Sequence, residues 1–211
     1  MNNRMTGKLI TLEGIDGAGK STQLNWIVTL LQRAGIQAVV TREPGGTPFG
    51  EQLRTLLLDQ SSVMHAETEA LLMFAARREH LDKVILPSLA QGQWVVSDRF
   101  SDASYAYQGG GRGLSQHKLN VLEEWTLGTL QPDLTLYFDV PVALAQQRVG
   151  QGRNIDRFEK EQSDFFQRVR TAYLERAQAF PQRIKRIDGS QSMVEVRIEV
   201  ERVIRGLLQD G

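Results

Sequence analysis

The sequence predicts an α/β fold, a five-stranded parallel sheet with helices on both faces. Three observations point there. Short β-like apolar runs are interleaved with stretches of helical spacing, the grammar of successive β–α units. A glycine-rich loop stands between the first strand and the first helix. The 211 residues are enough to bury a sizeable core, and no composition shift marks a linker, so one domain over residues 1–211 is expected.

The first strand is read at Lys8 to Glu13. After the glycines, Ser21 to Ala34 has helical spacing and Gly35 supplies the stop. A β-like run follows at Gln37 to Thr41, then helices at Glu51 to Leu58 and Glu67 to Leu89, with Pro87 expected to kink or end the second. Trp94 to Ser97 reads as a strand, Gln116 to Leu127 as a helix and Leu134 to Asp139 as a strand. Helices near Val142 to Val149 and Glu159 to Ala179, a strand at Arg183 to Ile187 and a helix from Met193 to Leu208 close the pattern. Two glycine-rich stretches, Gly109 to Gly113 and Gly150 to Arg153, read as mobile surface loops, the second within a basic lid at about residues 148–159.

Composition narrows the function. Lys+Arg 25 balance Asp+Glu 25, so no global field holds a nucleic-acid polymer or an acidic membrane, and any anion must be gripped locally. The absence of cysteine excludes disulfides and thiolate zinc sites. The polar start and the short apolar run after it are too brief for a signal core or membrane span, so a cytosolic protein is expected.

Local grip is visible at Gly14-Ile15-Asp16-Gly17-Ala18-Gly19-Lys20-Ser21, which fits G-x-x-x-x-G-K-[ST] between a strand and a helix. Glycines let backbone N–H groups converge on a phosphate at a helix N-terminus, with Thr22 in the same first turn. Lys20 adds a mobile cation across the β and γ oxygens, and the Ser21 hydroxyl is a ligand for Mg²⁺. ATP or GTP binding follows. No N-K-x-D box is present to read guanine, and no L-S-G-G-Q transport signature.

The strand at Trp94 to Ser97 runs out into Asp98-Arg99. An acid there suits Mg²⁺ held through water. An arginine where a water-activating ATPase often has glutamate suits an anionic phosphate acceptor opposite the γ-phosphate. The bland reading of the pair is a local ion pair capping a strand.

Five segments then follow in order: Thr41-Arg42-Glu43-Pro44-Gly45-Gly46-Thr47, Leu72-Met73-Phe74-Ala75-Ala76-Arg77, Asp98-Arg99-Phe100, Ala106-Tyr107-Gln108-Gly109-Gly110-Gly111-Arg112-Gly113 and Asp156-Arg157-Phe158-Glu159. In this succession, over most of its length, the chain resembles the bacterial thymidylate kinases. The resemblance implies phosphoryl transfer from ATP to dTMP with Mg²⁺, and a homodimer, for which Ala66 to Leu89 offers an apolar stretch.

The resemblance also implies roles. Arg54 and Arg99 would hold the dTMP phosphate, Glu43 would line the acceptor site, and Ser104 and Gln108 would hydrogen-bond the base or its neighbourhood. Asp16 would meet the 3′-hydroxyl, and Tyr107 would crowd a 2′-hydroxyl. Phe74 and Arg78, four residues apart and so on one helix face, would stack on thymine and read its carbonyl. Taken alone, Phe74 equally fits a core and Arg78 a solvated helix face. The phosphate loop has no arginine of its own, so the transition-state charge falls to the lid arginines Arg153 or Arg157, with Arg148 a third candidate. Asp156 and Glu159 are candidates for ordering Mg²⁺ waters or the acceptor, or for simple helix-dipole partners.

Two other functions use parts of this pattern. A deoxynucleoside kinase shares the G-x-D-G-x-G-K-S loop but accepts a sugar hydroxyl and needs a carboxylate base. A nucleotide-binding regulatory module would bind ATP without using the acceptor-side motifs.

Overall fold

A computed structural model of the chain describes residues 7–149, 157–158 and 161–209. Five strands, β1 (Leu9–Glu13), β2 (Ala38–Arg42), β3 (Trp94–Asp98), β4 (Leu134–Asp139) and β5 (Ile184–Asp188), form one all-parallel sheet in the order β2-β3-β1-β4-β5. The helices between them are α1 (Lys20–Arg33), α2 (Pro48–Leu58), α3 (Ala66–His80), α4 (Leu86–Ala90), α5 (Ser101–Ser104) and α6 (Gln116–Leu127). After β4 come α7 (Val142–Val149), α8 (Ser163–Ala179) and α9 (Met193–Gln209).

Burial explains the order. β1 and β4 are buried at every residue, as inner strands covered on both faces must be, while the edge strand β2 is half-exposed. Alternate β1 side chains face opposite ways. Ile10 and Leu12 pack into a core with Ile27 and Leu31 of α1, Val169 and Tyr173 of α8 and Ile204 of α9. Leu9 joins Val95, Leu81, Ile85 and Phe100 in a second cluster. The carboxyl ends of the strands, where such sheets open a crevice, carry Glu13, Arg42, Asp98 and Asp139.

Three expectations need correction. Pro87 does not end its helix: Leu81–Ile85 takes a π-helical register just upstream and α4 continues to Ala90. Proline lacks the N–H that would bond the helix, and the wider turn accommodates the loss while Ser88 Oγ donates to the Val84 carbonyl at 2.7 Å. Gly109 to Gly113 is not a loose loop, because Tyr105–Gly111 forms a second π-helical segment packed on α8. A Cβ added to Gly110 would lie 2.6 Å from Ala172 Cβ, so these glycines permit close helix contact rather than motion. Helix α8 begins at Ser163, later than the expected Glu159. Residues 150–156 and 159–160, most of the expected lid with Arg153, Asp156 and Glu159, lie outside the described residues.

Candidate functional site

The phosphate loop leaves β1 at Gly14 and enters α1 at Lys20. Its tightness explains its glycines: at Gly17, with φ 83°, an added Cβ would meet the Ala145 carbonyl oxygen at 2.3 Å. Lys20 is buried and folded back, its Nζ donating to the Gly14 and Ile15 carbonyls at 2.9 and 3.1 Å and lying 3.8 Å from Asp16 Oδ1. Burial pushes its pKa down, and the nearby charge of Arg99 adds to the effect. An incoming phosphate offers this ammonium a better partner than two carbonyls. Ser21 and Thr22 stand exposed on the first turn of α1, which has no acidic side chain of its own.

Asp98 closes β3, and its Oδ1 is buried without a hydrogen-bond partner among the described residues. A buried carboxylate oxygen left without a donor is costly unless something cationic or a water meets it. Together with the exposed Ser21 hydroxyl, this donor set fits Mg²⁺, a hard ion that takes oxygen ligands and keeps several waters.

Arg99 is the one non-glycine residue with positive φ, 72°, among the described residues. Backbone in that region is strained for a bulky residue, and such strain gathers at working sites. The turn aims the guanidinium at the loop: Nη1 donates to Gly14 O at 3.0 Å, and Nη2 to Asp16 Oδ1 at 2.9 Å and Tyr107 OH at 3.1 Å. Tyr107 lies under it, 4.8 Å from ring centroid to guanidinium.

Asp16 and Arg99 form one wall of a cleft whose other walls come from Glu43, Pro44, Arg54, Met73, Arg77, Ser104, Tyr107, Gln108 and Phe158. Arg54 Nη1 donates to Pro44 O at 2.9 Å. Glu43 accepts from Arg77 Nε at 2.7 Å and meets His80 Nδ1 at 3.0 Å, and His80 Nε2 is 2.6 Å from Thr41 Oγ1. Arg77 also donates to Ser104 Oγ at 3.1 Å and to Phe100 O at 3.0 Å. Gln108 Nε2 donates to Glu69 Oε1 at 2.8 Å.

The loop, Asp98, Arg99, Glu43, Arg54, Ser104, Tyr107 and Gln108 thus converge on one end of the sheet. The pair Phe74 and Arg78 does not. Phe74 is buried with Tyr105 and Leu119, and its ring supports Arg77, whose guanidinium carbon lies 4.6 Å from the centroid. Arg78 is half-exposed, paired with Asp82 and donating to Thr126 O at 2.8 Å. Met73 and Arg77, the i,i+4 pair one residue earlier, line the cleft instead. The Leu72-Met73-Phe74-Ala75-Ala76-Arg77 segment ends on Arg77, which is the available signal in the sequence. His80, Glu69 and Glu13 gave none, since each is polar in a run that reads as core or helix surface.

Arg157 donates to Leu57 O at 2.9 Å and Glu69 Oε2 at 2.7 Å, an attachment to α2 and α3 rather than to the phosphate loop. Arg148 does reach the loop region, donating to Gly189 O at 3.0 Å and to Gly17 O at 3.4 Å.

Comparison with known proteins meets this geometry. The family profile described as Thymidylate kinase matches residues 12–200. The chain belongs to the thymidylate kinase family. The thymidylate kinase of Nitrosospira multiformis is 65% identical over 200 residues, covering 95% of this chain and 98% of the relative. That of Nitrosomonas europaea is 61% identical, covering 97% and 95%. The crystal structure of thymidylate kinase from Ehrlichia chaffeensis superposes with a TM-score of 0.76 at 34% identity, covering 94% of this chain and 98% of that one. Membership in the thymidylate kinases accounts for a cleft lined by arginines in a chain whose charges balance.

Proposed function

We infer that this chain is a dTMP kinase, transferring the γ-phosphoryl group of ATP to dTMP to give dTDP and ADP. The observation that carries the reading is Arg99, which contacts the phosphate loop through Gly14 and Asp16 and lines the acceptor cleft at the same time. A donor phosphate on the loop and an acceptor phosphate in the cleft would share its guanidinium.

The obstacle to this reaction is repulsion between two polyanions, and the remedy is preorganised positive charge. The loop amides and Lys20 take the ATP phosphates. Ser21 and Asp98 would hold Mg²⁺, which would supply further neutralisation of the phosphate charge. Arg99 and Arg54 hold the dTMP phosphate, Asp16 takes the 3′-hydroxyl, and Tyr107 crowds the position of a 2′-hydroxyl. Arg77, with Ser104 and Gln108, reads the edge of thymine, and Met73 offers the soft flat contact beside it. The attacking phosphate oxygen is already ionised at neutral pH, so positioning carries the rate and no general base is required. Arg148 is the described lid-side arginine nearest this chemistry, with Arg153 its rival. Cytoplasmic residence and pairing of two copies complete the reading. Exposed Leu71, Val121 and Trp125 on the packed helices α3 and α6 offer an apolar face for a partner copy, and a sedimenting mass of one chain contradicts that pairing.

Coupled ADP release measured across dTMP, dUMP, UMP, CMP, AMP and GMP tests the function. The fastest turnover is expected with dTMP. Release no faster with dTMP than with ATP alone contradicts the reading and favours a regulatory module, and turnover of thymidine without dTMP favours a nucleoside kinase.

A further inference from the structure

Glu13, the last residue of β1, is a fully buried acid that none of the roles above uses. Burying a carboxyl group is expensive, and a hydrophobic residue would fill the same place in the strand at no such cost. Its two hydrogen bonds say what it does. Oε1 accepts the Phe100 backbone N–H at 2.7 Å, and Oε2 accepts the Tyr173 hydroxyl at 2.7 Å.

Both partners belong to Arg99. Phe100 is the next residue in the chain, so its N–H lies in the peptide that follows the strained φ of 72°. The Tyr173 hydroxyl in turn accepts from Arg99 Nη1 at 3.4 Å. One carboxyl group therefore grips the arginine's turn from the backbone side and its guanidinium from the far end.

We propose that Glu13 is a positioning residue for Arg99, acting through the Phe100 amide and the Tyr173 hydroxyl to aim the guanidinium at the acceptor phosphate. The proposal rests on the reading that Arg99 holds that phosphate. An αL turn at a bulky residue persists only where the surroundings over-determine it, and β1 holds this one twice, through Leu12 O accepting the Arg99 N–H at 2.9 Å and through Glu13 accepting the Phe100 N–H. The Tyr173 ring stacks on Tyr137 at 5.0 Å, which holds the hydroxyl in place without help from Arg99. Burial, with the charge of Asp102 adding to it, pushes the Glu13 carboxyl up to about 8. A glutamine in its place keeps one acceptor oxygen for the Phe100 N–H, but its NH₂ group cannot accept from the Tyr173 hydroxyl.

Steady-state kinetics of Tyr173→Phe, Glu13→Ala and Glu13→Gln, each alone and with Arg99→Ala, test the proposal. Tyr173→Phe keeps the stacked ring and removes only the bridging hydroxyl. It and Glu13→Ala are expected to lower kcat/KM for dTMP about tenfold, a typical coupling between groups in one network. Glu13→Gln recovers only part of the Glu13→Ala loss, through the acceptor oxygen it keeps for the Phe100 N–H. In the Arg99→Ala background the effects of Tyr173→Phe and Glu13→Ala disappear. Effects that persist undiminished without Arg99 overturn the proposal in favour of a purely structural acid. Should Glu13→Ala not fold, Tyr173→Phe decides alone. An Arg99→Ala enzyme with an unaltered kcat/KM for dTMP overturns the Arg99 reading itself, and the proposal with it.

Discussion

Arg77 and Arg78 are chain neighbours, yet a helix turns about 100° between successive residues and sends them to different faces. Both complete an i,i+4 pair, Arg77 with Met73 and Arg78 with Phe74, so spacing alone does not choose between them. The aromatic ring favoured the second pair in the sequence. The choice is made by helix phase: Ala70, Phe74 and Arg77 are buried, and Arg77 is drawn in by Glu43, a residue 34 positions away. Partners that distant cannot be read from local pattern, whereas the phosphate loop, whose chemistry is contiguous, was legible residue by residue. Arg77→Ala is expected to raise the KM for dTMP about tenfold or more through lost charged hydrogen bonds. It also loses about 3–5 kcal/mol in urea unfolding, because Glu43 is left buried without its cation. Arg78→Ala should leave the KM unchanged and stability within about 0.5 kcal/mol, as surface substitutions do. A raised KM in Arg78→Ala alone would restore the Phe74 and Arg78 pair.

Among the elements, the five strands and their order of appearance were readable because inner parallel strands are short continuous apolar runs bounded by breakers. The short helix α5 and the π-helical segment after it were not, since three successive glycines normally signal a turn. Here they permit the segment to lie against α8, a tertiary reason that outweighs propensity. What fixes α5 in place is Asp102, buried and accepting from Arg176 Nε of α8 at 2.8 Å and from Arg183 Nη1 at 2.6 Å. Burial by itself would raise the carboxyl, but Arg183 and Arg176 outweigh it and hold the group below its ordinary range. A depressed folded pKa gives stability that is present above the unfolded value and is lost as pH falls through the folded one. Asp102→Asn, which strands the buried Arg176 and the partly buried Arg183, is expected to cost about 3 kcal/mol at neutral pH. Urea midpoints compared at neutral pH and at about pH 3 should show the gap between variant and parent narrowing in acid. A gap that stays constant would place the Asp102 contribution elsewhere.

For the whole molecule, the parallel sheet brings the carboxyl ends of β1, β2 and β3 side by side, and with them Glu13, Glu43 just beyond β2, and Asp98 with Arg99. Segments far apart in the chain thereby make one cleft, and a protein with balanced charge gathers enough guanidinium groups to let two nucleotides meet. Family resemblance supplied the list of cleft residues, which the fold then brought together apart from one pair. The proposed role of Arg99, joining donor and acceptor phosphates, is decided by steady-state kinetics of Arg99→Ala. Loss of one preorganised charged donor should lower kcat/KM for dTMP by about two to three orders of magnitude, with circular dichroism unchanged. An Arg99→Ala enzyme that phosphorylates dTMP at close to the parent rate would show that Arg99 does not join the two phosphates.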